Sequence, residues 1–249
     1  MSMYTRSAAA AGLLFAVVGS ANAGMFNQNI FIGFQDPFGG RELIYTQPAT
    51  AAELGSLTYD TSRTTVDLTI DLSDFGFGSS LVIVSRLQLD VDVGPASPGA
   101  QPNEFVATAS GNFSFFRDSD GASLISGTFN NASLSILRGT SGGLTANGLI
   151  NAGQFNIAFN PALLQEFSNF GYQFAGFDTN RPGDASWTVT APTPNPIDAM
   201  YTPQGSAENF FASFTANSAF TGTIPVIPTP GVLSLAAAAG LLILGSRRR

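Results

Sequence analysis

The sequence predicts an all-β protein: a β-sandwich or jelly-roll-like body with one short helix, set between an N-terminal signal peptide and a C-terminal transmembrane helix. Three observations predict it. Thr64 to Leu72 and Arg86 to Val93 alternate strictly between apolar and polar residues, the period of a strand with one buried and one wet face. Short β-rich runs recur down the chain, divided by Gly, Asn, Ser and Pro, as in sandwiches and barrels. Phenylalanine is abundant, at 22 residues, and its rings can fill the space between two sheets.

The chain opens with export chemistry. Arg6 precedes an apolar stretch, Ala8 to Val18, followed by Ala21-Asn22-Ala23, the small-x-small pattern of a signal-peptide cleavage site. Cleavage leaves Gly24 as the first mature residue. The apolar stretch is too short to cross a bilayer as a helix. The expected division is a signal peptide over 1–23, a β body over 24–223 and a sorting tail over 224–249.

Within the body, Asn29 to Phe34, Glu42 to Thr46 and Ser56 to Tyr59 read as short strands with turn residues between them. In Thr64 to Leu72, Val66, Leu68, Ile70 and Leu72 form the inward set; in Arg86 to Val93 it is Leu87, Leu89, Val91 and Val93. Ser73 to Ser80 supplies turn chemistry, so these two runs are expected to form a hairpin. A turn centred near Gly76 and Phe77 puts Asp67 opposite Arg86 and Arg63 opposite Asp90. Gly94 to Pro102 is a Pro-rich loop. Strands are then expected over Glu104 to Phe116, Ser123 to Phe129, Ala132 to Leu137, Leu144 to Ile150 and Gln154 to Phe159. Phe113 and Phe115 form one inward set, and Phe155, Ile157 and Phe159 another. Pro161 to Phe170 is the helix: Asn160 can cap it, Pro161 suits its first turn, and Leu163, Leu164 and Phe167 share a face. Tyr172 to Phe177 and Ser186 to Thr190 return to strand, Thr193 to Pro196 marks a break, and Glu208 to Thr215 is a last strand.

The C-terminal stretch has three parts in fixed order: a Pro-rich joint (Pro225, Pro228, Pro230), an uncharged run from Val232 to Gly245, and Arg247, Arg248 and Arg249. The run can satisfy its backbone internally as a helix in lipid, and arginines directly after it are retained on the cytoplasmic side. Its 14 residues make about 21 Å of helix against roughly 30 Å of hydrocarbon, a short span. This layout resembles the PEP-CTERM sorting signal of Gram-negative bacteria, with Pro228-Thr229-Pro230 where that family usually has Pro-Glu-Pro. The resemblance covers about a tenth of the chain. It implies processing by an exosortase-like enzyme, anchoring through the C-terminal helix, and association with exopolysaccharide and biofilm matrix. The expected location is therefore the inner membrane with the body periplasmic, then the cell surface or extracellular matrix of a Gram-negative bacterium.

Composition excludes several chemistries. The chain has no Cys, no His and no Lys. That removes disulfides, zinc held by thiolate or imidazole, Ser-His-Asp triads, Cys nucleophiles and Schiff-base lysines. Apart from Arg6 and the three terminal arginines, six basic residues face 17 acidic ones, a body charge of −11. Such a surface disfavours nucleic acid, which needs basic groups to replace counterions.

What remains is carboxylate and aromatic chemistry. Asp118-Ser119-Asp120-Gly121 has the start of a calcium loop, but Phe129 stands where an EF-hand loop needs Glu. Asp118 and Asp120 are thus the metal candidates, calcium being the one ion considered, against a plain hairpin turn. Asp90 and Asp92 share a strand face and could join Asp67 or Asp71 around a cation, against a solvated acidic face. Trp187, Tyr172 and Tyr201 are candidate sugar-stacking rings, against the plainer reading that aromatics fill the core. The expected function is a non-enzymatic, tail-sorted surface or matrix protein with no cofactor. The alternatives are a carbohydrate-binding module displayed by the same route and a carboxylate-dependent glycoside hydrolase.

Overall fold

Alternation is most complete in the longest strand. In β5 (Ser80–Pro98), Leu81, Ile83, Ser85, Leu87, Leu89, Val91 and Val93 point inward, while Val82, Val84, Arg86, Gln88, Asp90 and Asp92 point out. The computed structural model describes residues 29–35, 41–60, 65–72, 80–138, 141–146, 155–178 and 185–228. The other strands are β1 (Asn29–Gln35), β2 (Leu43–Thr46), β3 (Gly55–Tyr59), β4 (Val66–Asp71), β6 (Glu104–Arg117), β7 (Ser123–Leu137) and β8 (Ser141–Ala146), then β9 (Phe155–Phe159), β10 (Phe174–Phe177), β11 (Ala185–Thr193) and β12 (Phe214–Pro228). Among the described residues one helix, α1 (Pro161–Asn169), follows β9. The all-β expectation is met.

Pairing turns these strands into a closed ring. β1 and β2 lie end to end along β12, and β4 and β3 end to end along β5. On the other side β9 and β8 share β7, while β10 and β11 share β12. Each such couple acts as one broken stave. The order is then β1/β2, β3/β4, β5, β6, β7, β8/β9, β10/β11 and β12, and the last pairs with the first. All pairings are antiparallel and each stave neighbours the next in sequence, a meander in place of the crossed connections of a jelly roll. Closure leaves no long unpaired edge along this path.

An eight-stave ring has an interior that side chains can fill. Phe34, Phe113, Phe115, Trp187 and Phe220 meet there from four staves. Trp187 lies 4.8 Å from Phe113 and 4.7 Å from Phe220, and Phe34 lies 5.8 Å from Phe115. The inward roles expected for Phe113 and Phe115 are borne out, both fully buried. Ile157 and Phe159 are only partly buried against the core, and the side chain of Phe155 lies outside the described residues.

The hairpin is real but its register differs. β4 pairs with Ser80–Ser85, so Asp67 faces Val84 and not Arg86. The strand starts at Ser80, six residues earlier than expected, because Val82 and Val84 point outward and mask the alternation there. Arg63 lies outside the described residues. Other boundaries move too: Gly94 to Pro98, expected as loop, continue β5, and Ser123 to Leu137 is one strand where two were expected. Residues 208–213 are loop, and the last strand runs from Phe214 to Pro228. Asn160 stands at the N-cap of α1, yet its side chain donates to Ser123 Oγ at 2.8 Å and makes no cap.

The two ends of the ring differ. At the near pole, β1 begins and β12 ends side by side, with Asn29 opposite Pro225. Here α1 packs against β7 and β10 through buried Leu163 and Phe167, with Phe167 5.0 Å from Phe174. At the far pole the 194–213 loop buries Ile197, Phe210 and Phe211. It is tied down by Asn209 O accepting from Ala96 N at 2.7 Å and by paired bonds between Gln47 and Ser213.

Candidate functional site

The sorting joint was expected to begin at Ile224, but β12 continues through it. Ile224 and Val226 are core residues. Pro225 falls where the β11 ladder has ended at Gly222 and the β10 ladder has not yet begun at Val226. Its carbonyl accepts from Asp178 N at 2.9 Å, and its missing N–H costs no ladder bond on that side. The described body therefore reaches Pro228, the first residue of the sorting motif. Thr229, Pro230, Arg247, Arg248 and Arg249 lie outside the described residues, as do Ala21, Ala23 and Gly24 of the signal site.

Asp118 and Asp120 sit in the β6–β7 turn at the near pole. Gly121, at φ 72°, permits the turn, with its N–H donating to Arg117 O at 2.9 Å. Each carboxylate faces an arginine: Arg86 Nε is 3.2 Å from Asp118, and Arg117 Nη1 is 2.9 Å from Asp120. Asp120 also accepts from Ala122 N at 3.0 Å. A cation entering this turn would compete with two guanidinium groups. Among the described residues, no cluster of three or more potential metal ligands occurs. Asp67 and Asp71 lie along Ser80–Ser85 of β5, whereas Asp90 and Asp92 face β3, so the four carboxylates are not gathered.

Arg117 does more than balance Asp120. Its Nε lies 2.8 Å from Glu166 and its Nη2 donates to Ala162 O at 3.3 Å. The Arg117 and Glu166 side chains are only 20% and 12% exposed, so this clamp on α1 is shielded more than a surface pair.

Of the three sugar-stacking candidates, Trp187 is 2% exposed with Phe113 and Phe220 against its ring. Its ring serves the core, a correction that follows from its inward position in β11. Tyr172 and Tyr201 are half-buried and lie apart: Tyr172 N bonds Phe167 O below, while Tyr201 bridges Phe210 in the far loop. Among the described residues, Trp187 Nε1, Tyr45 Oη and Ser218 Oγ are buried without a hydrogen bond, and Arg117 Nε meets Glu166 as an ion pair without hydrogen-bond geometry. Burial pushes the Tyr45 phenol well above its ordinary range, so it stays neutral.

Sequence reasoning missed an open hollow of about 420 Å³ on the outer face, lined by Phe31, Gly33, Thr69, Asp71, Ala219 and Thr221. Gly33 makes it: a Cβ there would stand 2.9 Å from the Phe220 carbonyl oxygen, so β1 and β12 approach over a missing side chain. Phe31 beside it is 57% exposed. The available signal was a lone Gly inside a strand pattern.

The outward polar residues and apolar interior are the reverse of a lipid-embedded barrel. No helix among the described residues is long and apolar enough to cross a membrane. The described residues thus form an antiparallel meander barrel filled by aromatic side chains. No protein family, no curated protein and no solved structure matches the chain.

Proposed function

We propose that this chain is an exported, tail-sorted surface or matrix protein whose barrel acts as a structural, non-enzymatic module. One observation carries the reading: Asn29 lies opposite Pro225, so the segment after the signal-cleavage site and the segment leading into the sorting tail leave the body at the same pole. A domain held by one pole presents the other outward. We also read the ring as flattened, two half-sheets facing each other as in a sandwich, supported by ring contacts that cross the core.

Mass spectrometry of the protein recovered from its native cells tests this. The expected mature chain starts at Gly24 and ends C-terminal to Pro228, because β12 is integral to the body up to that residue. Intact Arg249 on protein released from the cells, or an unchanged destination after deletion of 232–249, overturns the proposal. A glycan-binding module delivered by the same route is the competing reading. It is favoured by the exposed Phe31 ring beside the hollow, and would retain the body on insoluble polysaccharide.

A further inference from the structure

We infer that the near pole of the barrel is an interfacial surface for a lipid bilayer, with Phe31, Val82, Val84, Phe170 and Ile227 seated at the headgroup level. This rests on the tail-anchored reading above. Six large hydrophobic side chains are exposed among the described residues, and these five lie in the half of the barrel from which the chain leaves; the sixth, Leu54, is at the far pole. Clustering of this kind on an otherwise polar exterior marks an interaction surface.

The change of chemistry can be followed along one strand. From the near pole upward, the exposed side chains of β5 read Ser80, Val82, Val84, Arg86, Gln88, Asp90 and Asp92. Val82 sits opposite Thr69, which is opposite Gly33, and Phe31 lies one outward position nearer the pole. Ile227 extends from the end of β12, and Phe170 closes α1 beside β10. These side chains lie on β12, β1, β5 and the end of α1, all in the half of the barrel where β12 ends.

Chain length then fixes the partner. Only Thr229, Pro230 and Gly231 separate Pro228 from the apolar run, a reach of about 10 Å at full extension. On the tail-anchored reading the run would span about 21 Å as a helix against roughly 30 Å of hydrocarbon. A short span on a short tether draws its domain down against the bilayer, leaving no layer of water between pole and headgroups. Exposed valine and phenylalanine then gain contact that water denies them. Asp67 and Asp71, exposed between Phe31 and the two valines, limit the depth to the headgroup region, since carboxylates resist burial in hydrocarbon.

The absence of cysteine permits a direct test in the full chain. Single substitutions Phe31→Cys, Val82→Cys and Ile227→Cys carry an environment-sensitive fluorophore, with Ala51→Cys as the far-pole control and Leu241→Cys as the tail control. The protein is reconstituted into phosphatidylethanolamine–phosphatidylglycerol vesicles containing a headgroup-level nitroxide lipid. Several-fold stronger quenching at 31, 82 and 227 than at 51, with 241 also shielded from aqueous quencher, is the expected result. Shielding at 241 without excess quenching at the three near-pole sites overturns the inference and leaves the anchor reading standing. A label at 241 open to aqueous quencher overturns the anchor reading, and this inference with it. A label at 31 that ignores the lipid quencher but responds to soluble dextran overturns the lipid assignment in favour of a sugar.

Discussion

The barrel closes its two poles with different chemistry. The far pole is plugged by the chain itself: Phe211 packs edge-on to Tyr45 at 6.2 Å, Phe214 stacks on Tyr45 at 5.2 Å, and backbone bonds fasten the loop. The near pole is covered by a helix that is buried through two side chains and clamped by Arg117. Its exterior is also the more apolar. An apolar plug depends little on salt, whereas an ionic clamp is screened by it. The difference teaches that one barrel can be closed at one end by apolar packing of its own loop and at the other by a helix held with an ion pair.

Both poles share one core, so the largest expected effect erases the contrast. Phe220 touches Phe34, Phe113, Phe115 and Trp187. Phe220→Ala should cost about 3–5 kcal/mol, seen as coincident shifts in urea midpoint by Trp187 fluorescence and by circular dichroism. Phe31→Ala, at an exposed site, should stay within about 0.5 kcal/mol. Separate transitions by the two probes would mean that the poles unfold independently.

Much of this core was legible because alternation survives wherever the outer face is polar. Val66, Leu68, Ile70 and Leu72, and Phe113 and Phe115, were assigned inward and are fully buried. What failed was whatever depends on partners distant in sequence. Outward Val82 and Val84 hid the first third of β5. Pro225 and Pro228 read as a joint, because a strand with prolines makes sense only once Pro225 is known to fall between two ladders and Pro228 to end the strand. Ring closure couples Asn29 to Pro225, and no local pattern encodes that pairing. Trp187 stood as a sugar-stacking candidate beside the plainer core reading, because its two-residue alternation with Val189 does not say which side is in.

The next effect separates the poles directly. Glu166→Ala removes a mostly shielded partner of Arg117 and should cost about 1–2 kcal/mol, moderated because Asp120 still faces the guanidinium. At the far pole, Arg138 and Asp198 lie 2.8 Å apart but are 52% and 58% exposed. Arg138→Ala should cost less than about 1 kcal/mol, falling further in high salt. Urea titrations at low and high salt compare the two; equal losses would remove the distinction between a clamp and a surface pair.

The smallest effect is a pH dependence confined to the far pole. Glu104 accepts from Ser135 Oγ at 2.6 Å and from Gln101 N at 3.0 Å. The Ser135 bond first, then the backbone bond, hold its carboxyl below the ordinary value of 4.5. Because the folded state binds the proton more weakly than the unfolded chain, ionised Glu104 favours folding above the ordinary value, and the contribution fades as pH falls through the lower folded value. Glu104→Gln keeps the shape and removes the titration. Wild type should therefore lose more stability than Glu104→Gln between pH 5 and more acidic solution, as read from urea midpoints. Parallel acid curves would show that the 99–104 turn is held by its backbone bonds, Gly99 N to Glu104 O at 2.8 Å among them.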